Sequence, residues 1–138
     1  MSEAAGPYQR VLFPEEARAD LRALNERSPV VLREVFRLLK LLDGGAISPT
    51  PLRDFGKTGD LTDFGKIVAI VDEEPEHRIV VRSVEGRFQV SEVAAVDDRT
   101  EDLPYLLAGV RLGRITDPVR RSDAQRKLFR VRRMLGRD

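Results

Sequence analysis

The chain predicts an α+β domain, and three observations carry that prediction. Two consecutive segments hold apolar residues at helical spacing: Ala17, Leu21 and Leu24, then Leu32, Val35, Phe36, Leu39 and Leu42. Three β-branched runs follow, Ile67-Val68-Ala69-Ile70-Val71, Ile79-Val80-Val81 and Val93-Ala94-Ala95-Val96, separated by polar turns. A basic segment with an apolar stripe of its own closes the sequence. The expected order is strand, helical hairpin, three-stranded antiparallel meander, helix, with an appended basic C-terminal helix.

Each element has a local reason. Tyr8 to Phe13 reads as a short strand with aromatic ends. Pro14-Glu15-Glu16 starts a helix, because proline fits the first turn and acids there complement the helix dipole. Ser28-Pro29 starts the next, with serine as cap, and Gly44-Gly45 stops it. Ile47 to Gly65, punctuated by Pro49, Pro51, Gly56 and Gly59, reads as a loop. Strands are expected at Lys66–Val71, Arg78–Val84 and Phe88–Val96, joined by the turn Asp72-Glu73-Glu74-Pro75-Glu76 and by Glu85-Gly86. A third helix is expected from about Asp102 to Leu112. Asp117-Pro118 then caps a helix whose stripe is Ala124, Leu128, Val131 and Leu135, with Arg126, Lys127, Arg130, Arg133 and Arg137 mostly off it. Residues 1–114 form the expected core domain and residues 115–138 the basic extension.

Composition narrows the chemistry. At 138 residues the chain suits one domain, large enough for an ordinary core. Without cysteine there is no thiol catalysis, zinc–thiolate site or disulfide, and the lone His77 rules out a mechanism needing two imidazoles. No apolar run approaches the roughly 20 residues of a membrane span, and the N-terminus is not signal-like. A cytoplasmic protein without a membrane partner is expected. The net charge of +1 conceals an asymmetry. From Arg114 onward there are nine Lys/Arg against three Asp/Glu, whereas the first 113 residues hold fifteen against twenty. A basic arm on a mildly acidic body suggests a polyanionic partner or an arm docked on the body.

Four residues flanking the β-branched runs suggest a site. Lys66 and Arg78 open two runs, Arg99 follows the third, and Tyr105 lies six residues beyond Arg99. Three strands each bringing a cation to one sheet would form a positive surface with a phenol at its rim. Cations on a rigid sheet are what a phosphodiester needs as charge grows in a transition state. Arginine can grip two oxygens with its planar fork, and lysine offers a compact charge. Arg82, four residues after Arg78 and so on the same face of an ideal strand, adds a candidate RNA contact, and Arg126, Lys127, Arg130 and Arg133 of the tail add more.

Plainer readings stand beside these. Strand-end arginines commonly pair with acids, and a tyrosine in a first helical turn commonly packs. His77 either donates a proton beside Arg78 or fills a turn-end slot. Gly56-Lys57-Thr58 resembles the end of a phosphate-binding loop, but the required upstream glycine is Pro51. Glu74 and His77 lie in a turn without further ligands, so no metal or cofactor is expected. The amphipathic tail helix packs as a lid, binds RNA or forms a free arm, and its stripe favours packing.

Beyond these readings, several segments resemble the RelE/ParE superfamily of toxins from bacterial type II toxin–antitoxin systems, over roughly Tyr8 to Arg114. The likeness rests on the strand Tyr8–Phe13 running into a leucine-bearing helix, Pro51-Leu52 after the hairpin, and Lys57-Thr58-Gly59-Asp60-Leu61 before Lys66-Ile67. It rests also on His77-Arg78-Ile79-Val80-Val81 and on Val96-Asp97-Asp98-Arg99 with Tyr105. The resemblance implies a RelE-like fold and a metal-independent mRNA endoribonuclease acting in the ribosome, neutralised by a cognate antitoxin. In such enzymes the 2′-hydroxyl attacks the adjacent phosphate. Lys66, Arg78, Arg99 and Tyr105 would match the catalytic set, with Arg78 and Arg99 holding the phosphorane and Lys66 or Tyr105 moving protons. Three positions depart from the pattern. Val68 stands where the nucleases hold a second lysine, Asp97 replaces a small residue and is expected to neutralise Arg99, and His77 replaces an aromatic. They support the alternative of a non-catalytic binder of the same fold, either a gyrase inhibitor like the ParE branch or a degenerate regulatory protein.

Overall fold

The structure is a computed structural model and describes residues 8–52, 54–55, 59–84 and 90–136. Among these residues it is a mixed α+β arrangement of a five-stranded sheet, a separate two-stranded pair and four α-helices. The strands are β1 (Val11–Leu12), β2 (Thr50–Pro51), β3 (Asp54–Phe55), β4 (Gly59–Asp60), β5 (Phe64–Ala69), β6 (His77–Ser83) and β7 (Ser91–Asp98). The helices are α1 (Glu15–Arg27), α2 (Pro29–Asp43), α3 (Leu103–Arg111) and α4 (Pro118–Met134), with a 3-10 turn at Thr100–Asp102. The main sheet runs β1-β7-β6-β5-β2, and β3 and β4 form a separate antiparallel pair. No described helix is long and apolar enough to cross a membrane.

Helices α1 and α2 start where capping chemistry places them. Pro14 precedes α1 with Glu15 and Glu16 in its first turn, and the Ser28 hydroxyl accepts from the Val31 amide at the start of α2. α2 ends at Gly44, and Gly45 then takes φ +79° while the amide of Ala46 reaches back to Leu41. That left-handed step suits glycine. The Asp43 carboxylate accepts from the amides of Gln9 and Arg10, at 2.9 and 2.6 Å, tying the end of α2 to the entry of β1. Burial first, and then Asp43, push the Tyr8 phenol beside this junction up to about 12.

The sheet separates two apolar layers. Ile67, Ala69, Ile79, Val81, Val93 and Val96 face the hairpin and pack with Leu21, Leu24, Val35 and Leu39. Phe64, Val80, Ala94 and Ala95 face the other way and pack with Leu103, Leu106 and Leu107 of α3 and with Ala124, Leu128 and Val131 of α4. The tail helix is therefore docked by its apolar stripe. Asp117 caps it, its carboxylate accepting from the amides of Val119 and Arg120 at 2.8 and 3.2 Å.

Several details depart from the sequence expectations. The first strand shrinks to Val11–Leu12 and pairs parallel with β7. The region read as the loop Ile47 to Gly65 contains β2, β3 and β4. Thr50-Pro51 adds an antiparallel edge strand on β5, a place where proline loses no ladder bond. The meander strands are shifted: β5 begins at Phe64, and β7 runs to Asp98. The Glu85-Gly86 turn, Phe88 and Gly56-Lys57-Thr58 lie outside the described residues. Ala94 and Ala95 both face α3, and the register slips between Val80 and Val81, so β7 carries a bulge opposite them.

That bulge lies on an edge that needs closing. β1 covers β7 only at Ser91 and Glu92, so beyond Glu92 the outer side of β7 has no described strand neighbour. One ion pair fills the gap. Asp20 of α1 accepts from the Val96 amide at 2.9 Å, and Arg111 of α3 donates to the Ala94 carbonyl at 3.0 Å. The two side chains meet in a pair of hydrogen bonds of 2.7 and 2.8 Å. Burial opposes the Arg111 charge, but the bonds to Asp20 and its charge outweigh that, and its pKa is raised. Breaking a buried pair strands its partner. Asp20→Ala is expected to lower stability by about 3 kcal/mol in urea unfolding. Asp20→Asn, which still accepts from Val96, should cost less.

Candidate functional site

Lys66, Arg78 and Arg99 reach the α3-facing side of the sheet by register. Lys66 and Val68 alternate with Phe64 on that face, and Val68 pairs with Arg78. The β6–β7 ladder continues one step past its last pair, with the Arg99 amide donating to the Glu76 carbonyl at 3.0 Å. Glu76, two residues before Arg78, therefore shares its face. Tyr105 enters from above, in the first turn of α3.

The side chains converge. Arg78 donates through Nη1 to the Tyr105 hydroxyl at 2.8 Å. It also donates through Nε, at 2.8 Å, and Nη2 to one oxygen of Glu76. The other Glu76 oxygen lies 3.7 Å from Arg99 Nη1. Lys66 is near enough to act on the same carboxylate electrostatically. The Arg78 bond, the Arg78 and Arg99 charges and Lys66 together hold Glu76 below the ordinary carboxylate range, against its partial desolvation. Burial works against the Arg78 charge, but the bonds to Glu76 and Tyr105 outweigh it and raise the guanidinium pKa. Because Tyr105 accepts from Arg78, its own O–H proton remains available to donate.

Accessibility is graded across the cluster. The Arg78 side chain is 14% exposed and Glu76 26%, while Arg99 is 61% exposed. The cluster thus opens to solvent on the Arg99 side. The connection from Arg99 to Tyr105 is tightly bent: Glu101 and Asp102 take φ +49° and +63°, unusual for residues with a Cβ. The Asp98 carboxylate secures the bend by accepting from the Thr100 amide at 2.7 Å and from the Thr100 hydroxyl.

The carboxylate that approaches Arg99 is Glu76, not the expected Asp97. Asp97 accepts from Arg27 at 3.4 Å and from the Asp98 amide at 2.8 Å. His77 is buried on the hairpin side, away from Arg78 in the strand alternation. Its Nδ1 lies 2.8 Å from the Pro75 carbonyl and its Nε2 3.2 Å from Arg27. A neutral ring with the proton on Nδ1 satisfies both contacts. Its place is structural.

The outlying RNA candidates fall in two places. Arg82 bridges to Glu92 directly opposite it on β7, at 3.1 and 3.0 Å, and lies roughly 13 Å along the strand from Arg78 at about 3.3 Å per residue. Near that end Arg114 grips Asp63 with bonds of 2.7 and 2.8 Å and lies over the Phe64 ring. On α4, Arg126 pairs with Asp123, Arg133 lies over the exposed Phe129 ring at 5.9 Å, and Lys127 is half-buried. Arg130 comes within 3.6 Å of Glu101, next to the bend that carries Arg99. The basic outer face of α4 thus begins beside the cluster.

The chain matches no family model, no curated protein and no solved structure. Three cations around one carboxylate, with a phenol hydrogen-bonded to the central arginine, form a seat for an oxyanion. The cations are legible in the sequence at the edges of the β-branched runs; Glu76 is not, although an acid two residues before a strand arginine shares its face.

Burial, ahead of the opposing Pro75 bond and the adverse Arg27 charge, lowers the His77 pKa below its ordinary 6.5. The unfolded chain therefore binds the proton first as the pH falls. His77 costs no stability above pH 6.5, and stability is lost progressively below it. Thermal midpoints measured from about pH 7.5 to about 5 should fall in the wild type and fall less in His77→Gln.

Proposed function

We propose that this chain is a RelE-like toxin of a type II toxin–antitoxin system, an endoribonuclease that cleaves mRNA in the ribosome without a metal ion. The observation that carries the reading is the convergence of Lys66, Arg78, Arg99 and Tyr105 around one anionic group. They come from two strands, a strand end and a helix, far apart in sequence. The order strand, helical hairpin, antiparallel meander, helix supports the same family.

In this reading the scissile phosphate takes the position among the guanidiniums. The substrate's 2′-hydroxyl passes its proton to solvent water on the open, Arg99 side as its oxygen attacks the phosphorus, and a pentacoordinate dianionic phosphorane forms. Arg78 and Arg99 hold its non-bridging oxygens, and their charges matter more in that state than in the singly charged ground state. Tyr105 donates its proton towards the leaving 5′-oxygen, and Lys66 supplies charge beside it. The bond to the 5′-oxygen then breaks, leaving a 2′,3′-cyclic phosphate. The outer face of α4, with Arg126, Arg130 and Arg133 around Phe129, carries the RNA or ribosomal RNA away from the seat by charge and stacking. The cognate antitoxin is the expected protein partner.

A second reading has one observation in its favour. Glu76 already neutralises Arg78, as expected of a binder that acts by contact alone, such as a gyrase inhibitor. Inducing the protein in bacteria and mapping new mRNA 5′ ends separates the two. Cuts within translated frames are expected from the wild type. Arg99→Ala, an exposed change costing little stability, should reduce them by about two to three decades. Growth arrest without new ends would favour the binder.

The α4 face makes a separate prediction. Deleting residues 115–138 would uncover the apolar layer under α3, so point changes are the cleaner probe. Replacing Arg126, Arg130 and Arg133 with glutamine should weaken RNA binding at low salt. It should also flatten the log-affinity against log-salt slope by about 0.7 for each phosphate that is no longer neutralised.

A further inference from the structure

Resting on the proposed oxyanion seat, we infer that the Glu76 carboxylate is the seat's resident occupant, which a phosphodiester must displace to reach Arg78. Glu76 thereby sets the threshold for RNA binding.

The geometry has the form of a bound ligand. One carboxylate oxygen takes two donors from Arg78, and the other faces Arg99. A phosphodiester with two non-bridging oxygens would bridge the same two forks in the same way. Carboxylate and phosphodiester carry one negative charge each, so they compete for one place. Both cannot remain without bringing like charges together.

The fold allows the exchange. The backbone of Glu76 is pinned, because its carbonyl accepts from the Arg99 amide at 3.0 Å. Only the side chain need move, and it lies on the solvent-open side of the cluster, next to the exposed Arg99. Glu76 also lies at the end of the 72–76 turn, with open solvent beside it rather than core. Arg78 keeps its Tyr105 bond when Glu76 leaves, so the fork stays aimed. The arrangement also favours one ligand state over another. A singly charged phosphate competes with Glu76 on equal terms of charge, whereas a dianionic phosphorane has the advantage.

The test measures binding of a short labelled single-stranded RNA by fluorescence anisotropy at fixed salt. It compares wild type, Glu76→Gln, Glu76→Ala, Arg78→Ala and Arg99→Ala, with thermal melts to establish that each is folded. Glutamine keeps the shape and removes the charge, while alanine empties the seat. Both Glu76 changes are expected to tighten binding about tenfold, roughly 1.4 kcal/mol. That gain should vanish when Arg78→Ala is added to Glu76→Gln. If Arg78→Ala and Arg99→Ala weaken binding but neither Glu76 change tightens it, the seat stands and Glu76 is not its occupant. If Glu76→Gln leaves binding unchanged but abolishes cleavage, Glu76 is a proton-transfer group and the inference is overturned. If neither arginine change alters binding, the oxyanion site itself fails, and the inference with it.

Discussion

The fold depends on how β7 keeps its outer edge satisfied. A strand whose outer edge meets a partner strand only at Ser91 and Glu92 would expose a row of amides and carbonyls to water or to another chain. Here the Asp20–Arg111 pair takes over: one carboxylate oxygen on the Val96 amide, one guanidinium on the Ala94 carbonyl. The pair also joins α1 on one face of the sheet to α3 on the other. Through it, the two apolar layers share a single buried electrostatic clamp, and α3 is fixed lengthwise. Tyr105 then projects over Arg78 rather than a turn away. The same clamp explains why two small alanines occupy the bulge, since larger side chains at 94 and 95 would push α3 off the strand.

The cation cluster shows a different balance. Arg78 is largely enclosed, and an enclosed guanidinium needs its hydrogens engaged. Glu76 and Tyr105 engage them and so stabilise the empty protein. The feature that makes the cluster fit for an anion is the feature that fills it with one of its own. Arg99 escapes that constraint because it lies past the strand end, exposed, on a bend held by Asp98 and Thr100.

Much of this was legible because it is written locally. The stripes of α1, α2 and α4, the caps Ser28 and Asp117, and the three β-branched runs each follow from spacing or from one residue's hydrogen-bonding habit. Lys66, Arg78 and Arg99 could be singled out as candidates because each lies at or just past a β-branched run whose facing is set by alternation, and Tyr105 by its spacing of six residues from Arg99. What escaped was set by partners far along the chain. Asp20 reads as an ordinary polar helix position until Arg111, 91 residues away, is opposite it. Glu76 reads as turn filler until the β6–β7 ladder extends past its last pair. In Thr50-Pro51 the proline argues against a strand, and the pair becomes an edge strand because β5 offers it a ladder to join. Asp97, chosen by proximity in sequence to Arg99, is drawn to Arg27 instead, 70 residues away.

The parallel pairing of β1 with β7 has a consequence in time. Val11 cannot find Ser91 until most of the chain exists, and loop closure over such a span is slow. Before then the helical hairpin has no complete sheet to cover, and its leucines are open to other contacts. The β5–β6–β7 meander, by contrast, is built from neighbours in sequence, so the sheet's closure at β1 is the step that waits on synthesis past Ser91.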